Sequence, residues 1–180
     1  MNKILKLTFI LFLVCAIVAG VLGGIYELTR DTIEMQKEAK TAKAYASVLA
    51  AESYTDVDFD KEAFPTVDSI AAADNGAGHV VMTTFSGAQG SITMAVGVDT
   101  EFKCTGISII SHSETSGLGA NAASTAKVGV DFRAQFVDQD SSCAITKAGG
   151  EIDALTGATI TSRSIANATA TAIKAVESLG

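Results

Sequence analysis

The sequence predicts an α+β protein: one apolar helix near its start, then a domain in which helices pack on an antiparallel sheet. Three observations carry this. Twenty consecutive uncharged residues run from Leu7 to Tyr26. Between residues 79 and 110, three strand-like runs follow one another through short connections rich in Gly and Asp, as antiparallel neighbours allow. Residues 160–178 carry an apolar stripe at i, i+3, i+4 spacing, the mark of a helix laid on a sheet. Strands and helices do not alternate regularly, so a doubly wound parallel sheet is not expected.

The first element follows from length and charge. A 20-residue helix rises about 30 Å, the thickness of a bilayer hydrocarbon core. Lys3 and Lys6 precede the run, while Glu27, Arg30 and Asp31 follow it. The positive-inside bias then places residues 1–6 in the cytoplasm, residues 7–26 across the membrane and the rest outside. A cleaved signal peptide is the rival reading, but the run exceeds the usual apolar region of about 7–15 residues. Cys15 has only bulky neighbours at Phe12-Leu-Val14 and makes no convincing lipobox. A retained single-span anchor in the cell membrane is expected.

Residues 28–53 read as a helix continuing out of the membrane, being rich in Ala, Glu, Lys and Gln. A polar connection with Asp56, Asp58, Asp60 and the single proline, Pro65, follows, with room for a short strand. Residues 27–66 are thus a stalk and connection, and residues 67–180 the domain. Within it, His79–Phe85 and Ser91–Val98 read as two strands joined by the hairpin loop Ser86-Gly-Ala-Gln-Gly90. Cys104–Ile110 is a third, after a turn at residues 99–103. Residues 122–137 suggest one or two short helices, with Val128, Phe132 and Phe136 four apart. Short strands are expected near Cys143–Ile145 and Ile152–Ala154. The closing helix should bury Ile165, Ala168, Ala172, Ile173, Val176 and Leu179.

Charge and composition exclude several functions. The chain carries 13 basic and 20 acidic residues, a net charge of −7, with 6% aromatic residues and no Trp. Nucleic-acid binding needs basic patches to neutralise phosphates, and stacking platforms for single strands. Neither is present. There is no CxxC and no metal-ligand cluster, and His79 and His112 lie too far apart to suggest a metal site. A hydrolase would need a nucleophile matched to a base, and no Gly-x-Ser-x-Gly elbow occurs. Cys104 and Cys143 could pair outside the cytoplasm, and sequence leaves that open.

The chemistry-bearing segment is Asp153-Ala-Leu-Thr-Gly-Ala-Thr159-Ile-Thr-Ser162, just ahead of the closing helix. A small-residue turn there presents several hydroxyls at a helix N-terminus, whose unpaired N–H groups and positive dipole end favour a phosphate. The same residue types also suit a plain N-cap. A second segment, His112-Ser-Glu-Thr-Ser-Gly-Leu-Gly119, directly follows the third strand. Its glycines let a backbone approach a flat ring closely. Gly117-Leu-Gly-Ala-Asn-Ala122 also fits a G-x-G-x-x-A dinucleotide pattern, but no βαβ unit surrounds it. Asn167-Ala-Thr169 is a sequon inside a helix and reads as incidental.

Both segments resemble motifs of the FMN-binding domain family, which includes the G subunits of Rnf electron-transport complexes and their counterparts in the sodium-pumping NADH:quinone reductase. The first is similar to the family's Ser/Thr-Gly-Ala-Thr flavinylation motif. The second is similar to its His-x-Glu-Thr-Pro-Gly-Leu-Gly loop, with Ser116 where Pro is usual. The resemblance implies that Thr159 carries FMN through a phosphoester bond. Asp153, as leading acid, would serve recognition or fix the turn. Gly157 would permit close approach, and Ala158 would keep space over the phosphate clear. Thr156, Thr161 and Ser162 would donate hydrogen bonds to phosphate oxygens. Glu114, Thr115, Leu118 and Gly119 would neighbour the flavin ring. It further implies a separate flavin transferase that uses FAD and a divalent cation, other membrane subunits as partners, and an electron-carrying role in ferredoxin:NAD exchange coupled to ion movement. A stand-alone extracytoplasmic flavin carrier and a non-redox anion-binding module are the alternatives.

Overall fold

The apolar run is helical, and the helix does not stop at its end. In a computed structural model, which describes residues 3–179, α1 spans Lys3–Val48 without interruption. Its first half is long and apolar enough to cross a membrane, with mean hydropathy 2.7 over its most apolar 18 residues, none of them buried. Ala, Lys, Glu and Gln carry the second half, where intrinsic propensity favours helix. The chain divides into two compact units at Lys40 and Thr41. Residues 1 and 2 of the expected cytoplasmic segment, and Gly180, lie outside the described residues.

In the second unit a five-stranded antiparallel meander follows, in the spatial order β1 to β5. The strands are β1 Tyr54–Val57, β2 Val67–Ala73, β3 Gly78–Ser86, β4 Ser91–Asp99 and β5 Cys104–His112. The three expected strands are β3, β4 and β5. The polar connection does contain a strand, β1. The sequence reading passed over β2, because Ala71-Ala72-Ala73 and Asp68-Ser69 lack the β-branched and aromatic types that favour strands. Pairing decides it: Ile70 and Ala71 register against Val81 and Val80. The β3–β4 hairpin runs in register from Gly78↔Asp99 to Ser86↔Ser91. In the β4–β5 turn, Asp99 Oδ1 accepts the N–H groups of Glu101 and Lys103, both at 2.8 Å.

Alternation gives the sheet two faces. Val67, Ile70, Val81, Met94, Val96, Val98 and Ile107 face the main core, with Phe132 and Phe136. Closing helix α3, Thr159–Glu177, buries Ile165, Ala168, Ala172, Ile173 and Val176 there. Leu179 packs on the core only in part. The second face is closed by Ala44, Val48 and Leu49, set against Ala73, Val80 and Ala95. Gly97 permits this approach. A Cβ there would meet the Thr105 hydroxyl and the Val48 carbonyl oxygen, and Thr105 donates to that same oxygen.

Two expectations change between β5 and α3. A single short α-helix forms, α2 at Lys127–Ala134, with Val128 exposed while Phe132 and Phe136 stack edge to face at 5.3 Å. The spacing suited a core stripe, but a two-turn helix buries one side, and its Gly129 and Phe132 occupy it. The expected strands at 143–145 and 152–154 reduce to one parallel bridge, Ile145↔Ile152. A 3-10 turn at Thr146–Ala148, ended by Gly149 at φ 86°, brings the two isoleucines together and leaves no length for a ladder. Cys104 and Cys143 are both buried and unlinked.

Candidate functional site

The local sequence around α3 leaves its N-terminus open. The N-cap position is Ala158, with φ −129° and ψ 40°, and no side chain caps it. The first intrahelical bond is Ser162 N–H to Ala158 O, at 3.0 Å. The N–H groups of Thr159, Ile160 and Thr161 therefore have no partner within the helix. The plain-cap reading of this segment does not describe it: hydroxyl residues abound, yet none caps the helix.

The turn ahead of the helix is fixed by its own contacts. Ala158 N–H bonds Leu155 O at 3.0 Å, and Gly157 holds the left-handed conformation at φ 73°. Ser162, fully buried, donates its hydroxyl to Ala158 O at 2.9 Å and accepts the Leu155 N–H at 3.0 Å. The backbone of Asp153 is clamped by Gln135, whose Oε1 accepts its N–H at 2.7 Å and whose Nε2 donates to its carbonyl at 3.4 Å. The Asp153 side chain stays exposed.

Against this terminus stands the loop after β5. Ser116 begins a turn despite the missing proline, with Leu118 and Ala120 N–H both bonded to Thr115 O at 3.2 Å and Gly117 at φ 78°. Asn121 Nδ2 closes the loop on Gly117 O at 2.9 Å. Residues 119–123 then form a 3-10 segment in place of the helix that a dinucleotide fingerprint requires. Arg133 holds that segment by donating to Ala122 O at 2.5 Å and Ser124 O at 3.0 Å.

Together they enclose a cleft of about 340 Å³, lined by Ala88, Gln89, Glu114, Thr115, Leu118, Gly119 and residues 157–161. Of the expected residues, Glu114, Thr115, Leu118, Gly119, Gly157, Ala158, Thr159 and Thr161 meet here. Asp153, Thr156 and Ser162 are not among the lining residues. Thr159 is half-buried at the mouth, while Ile160 beside it is 61% exposed and Leu118 44% exposed. Sequence reading missed Ala88 and Gln89, at the tip of the β3–β4 hairpin, and Ile160. The hairpin loop was legible, but nothing in it signals that it folds toward Glu114, 26 positions beyond Ala88, and toward the first turn of α3.

Two expected phosphate donors are already engaged. The Thr161 hydroxyl donates to Glu114 Oε2 at 2.6 Å, and the Ser162 hydroxyl serves the turn. Each has one hydrogen to give, so neither hydroxyl is free to donate elsewhere while these bonds hold. Glu114 accepts two further bonds at Oε1, from Ala88 N–H at 2.8 Å and Gln89 N–H at 3.1 Å. Burial alone would raise its pKa. The bonds from Thr161, Gln89 and Ala88, with His112 nearby, outweigh that and hold the carboxyl below its ordinary range. Glu114 is ionised at neutral pH.

Fold and cleft together define a class: an α+β domain that follows an apolar helix and opens a cleft at an uncapped helix N-terminus. Comparison with known proteins narrows it. The FMN-binding domain family matches residues 87–174, and the RnfG N-terminal region matches residues 1–48. The chain is 30% identical to the G subunit of the proton-translocating ferredoxin:NAD(+) oxidoreductase complex of Clostridium ljungdahlii, over 97% of this chain and 92% of that one. It is 29% identical to the G subunit of the ion-translocating oxidoreductase complex of Methanosarcina acetivorans, over 96% and 94%. With the corresponding G subunit of Yersinia pestis it shares 31% over 83% and 78%. The chain belongs to the family formed by the G subunits of these ion-translocating oxidoreductase complexes.

Proposed function

We propose that this protein is a membrane-anchored electron carrier that holds FMN covalently through a phosphate ester to Thr159. It would serve as one relay subunit of an Rnf-type ferredoxin:NAD oxidoreductase complex that moves ions, and would pump nothing itself. The observation that carries this reading is the uncapped N-terminus of α3, with Thr159 as its first residue at the mouth of the cleft. Three N–H groups without intrahelical partners and the positive end of the helix dipole suit a phosphate monoanion there. With FAD as the donor, attachment forms a P–O bond at the Thr159 hydroxyl oxygen, breaks the pyrophosphate P–O bond of FAD, and releases AMP and the hydroxyl proton.

The residues present fit the group. FMN, when bound, supplies reversible uptake and release of one or two electrons. The Thr159, Ile160 and Thr161 N–H groups would hold the phosphate. Gly157 and Ala158 keep side-chain bulk from its path, while the exposed Asp153 and Thr156 remain available to a flavin transferase. Leu118 and Ile160 offer apolar surface to the ring and exclude water from its near side. Thr115 and Gly119 border the same space. Residues 1–6 would lie in the cytoplasm and the FMN domain, from residue 67 on, outside. There a tethered cofactor is not lost by diffusion, and the other membrane subunits of the complex would exchange electrons with it.

The test is direct. The full chain is produced with and without a flavin transferase, denatured, and examined for flavin fluorescence in the gel band. Fluorescence that depends on the transferase is expected. Thr159→Val should abolish it and Thr156→Val should leave part of it. No covalent flavin in the presence of active transferase would reject the carrier reading, and label surviving Thr159→Val would assign the bond to another hydroxyl.

A further inference from the structure

The Glu114 carboxylate has both oxygens turned to protein donors from two distant segments. One oxygen takes the Ala88 and Gln89 N–H groups of the β3–β4 loop. The other takes the Thr161 hydroxyl in the first turn of α3. Both segments contribute to the walls of the cleft. Two glycines make the arrangement possible. A Cβ on Gly87 would collide with Glu114 Oε1, and it would stand 2.7 Å from Ile92 Cδ1. On Gly119 it would collide with Glu114 Oε2 and stand 2.7 Å from Thr161 Oγ1. The carboxylate thus occupies the volume that side chains at 87 and 119 would otherwise fill.

We infer that Glu114 is the positioning residue of the cleft: its carboxylate ties the β3–β4 loop to the first turn of α3 and sets the gap between them. It acts through these walls, with Gly87 and Gly119 as the space it needs. Hydrogen bonds to an ionised acceptor are the strong ones, and three of them converge on one side chain. The second readout below rests on the flavin reading; the first does not.

Full-length protein in detergent is compared as wild type, Glu114→Ala, Glu114→Gln, Thr161→Val and Gly87→Ala. The first readout is hydrogen exchange over residues 87–90 and 158–162, with circular dichroism confirming that each variant is folded. Glu114→Ala should speed exchange in the 87–90 segment about tenfold or more, as expected for losing charge-assisted bonds. Glu114→Gln keeps an acceptor for the two amides and an amide group for Thr161, so it should restore most of the protection. Thr161→Val, nearly isosteric, should loosen the first turn of α3 and leave the loop less affected. Gly87→Ala should mimic Glu114→Ala, and the double variant should add little to either. The second readout is iodide quenching of attached flavin, normalised to the flavin each variant carries, which should increase in Glu114→Ala.

Unchanged exchange at 87–90 in Glu114→Ala would overturn the inference, as would additive effects of the Gly87 and Glu114 changes. Should Glu114→Ala fail to fold, Thr161→Val and Gly87→Ala decide the matter by the same exchange readout. If wild-type protein acquires no flavin, the carrier reading fails while the exchange arm still judges Glu114.

Discussion

Removing the Ser162 hydroxyl separates two roles that the same residue could play. In Ser162→Ala the Ala158 carbonyl keeps its bond from the Ser162 N–H, but the Leu155 N–H loses the acceptor that stood 3.0 Å away. Ser162 is fully buried and Leu155 nearly so, so water cannot replace the lost partner without opening the turn. A buried donor left unsatisfied costs about 1–3 kcal/mol. For a domain of this size each kcal/mol lowers Tm by about 3–4 °C. Thermal unfolding of the full chain in detergent should therefore fall by several degrees, with a matching shift in urea midpoint. Flavin attachment below the lowered Tm should continue, because neither Thr159 nor the open N–H groups are touched. Unchanged stability combined with lost attachment would refute the reasoning, since the hydroxyl would then serve the phosphate and not the turn.

Other outcomes follow from the core, the carboxylate and the thiols. Phe132→Ala removes a fully buried ring stacked on Phe136 and should cost about 3–5 kcal/mol, read as a large drop in denaturant midpoint. The folded pKa of Glu114 is depressed below its unfolded value near 4.5. Its contribution is therefore complete above that pH and is lost as pH falls through the lower folded value. Glu114→Gln should lower stability at pH 7 and flatten its fall below pH 4.5, so that wild type and variant converge in acid. Burial pushes Cys104 up to about 12 and Cys143 up to about 11. Iodoacetamide at pH 8 should leave both unmodified in native protein and label both after denaturation, with mass spectrometry as the check.

Much of the architecture was legible in sequence where chain-local chemistry decides the outcome. Leu7–Tyr26 could hardly be anything but an apolar helix. The runs at β3, β4 and β5 combine β-branched residues with glycine and aspartate turns, so local preference and final pairing agree. The closing helix announced itself through Ile165, Ala168, Ala172, Ile173 and Val176. Legibility ended where distant partners decide. Ala71-Ala72-Ala73 is a strand because β1 and β3 flank it, and Ile145 meets Ile152 through a turn that no periodicity marks.

The site divides in the same way. The residues of the two motifs came forward as candidates through their resemblance to the motifs of the FMN-binding domain family, and eight of them line one cleft. What could not be read was how their polar atoms are used. Thr161 and Ser162 both offered a hydroxyl at the right place along the chain. Their actual acceptors, Glu114 Oε2 and Ala158 O, follow from three-dimensional packing. Ala88 and Gln89 carry no chemical signature at all, since they contribute backbone N–H groups, which every residue but proline possesses.

The last turns of α1 bear on where this protein can be cut. Ala44, Val48 and Leu49 are core residues of the sheet domain even though the helix that brings them there begins in the apolar segment. A soluble version beginning at residue 50 would strip the cover from Val80 and Ala95, and one beginning at or before Thr41 would keep it. A single-residue deletion at 45–47 would swing Ala44 about 100° around the helix axis, away from the strands that Val48 still touches. The boundary that matters for engineering lies within the helix, well short of the place where the helix ends.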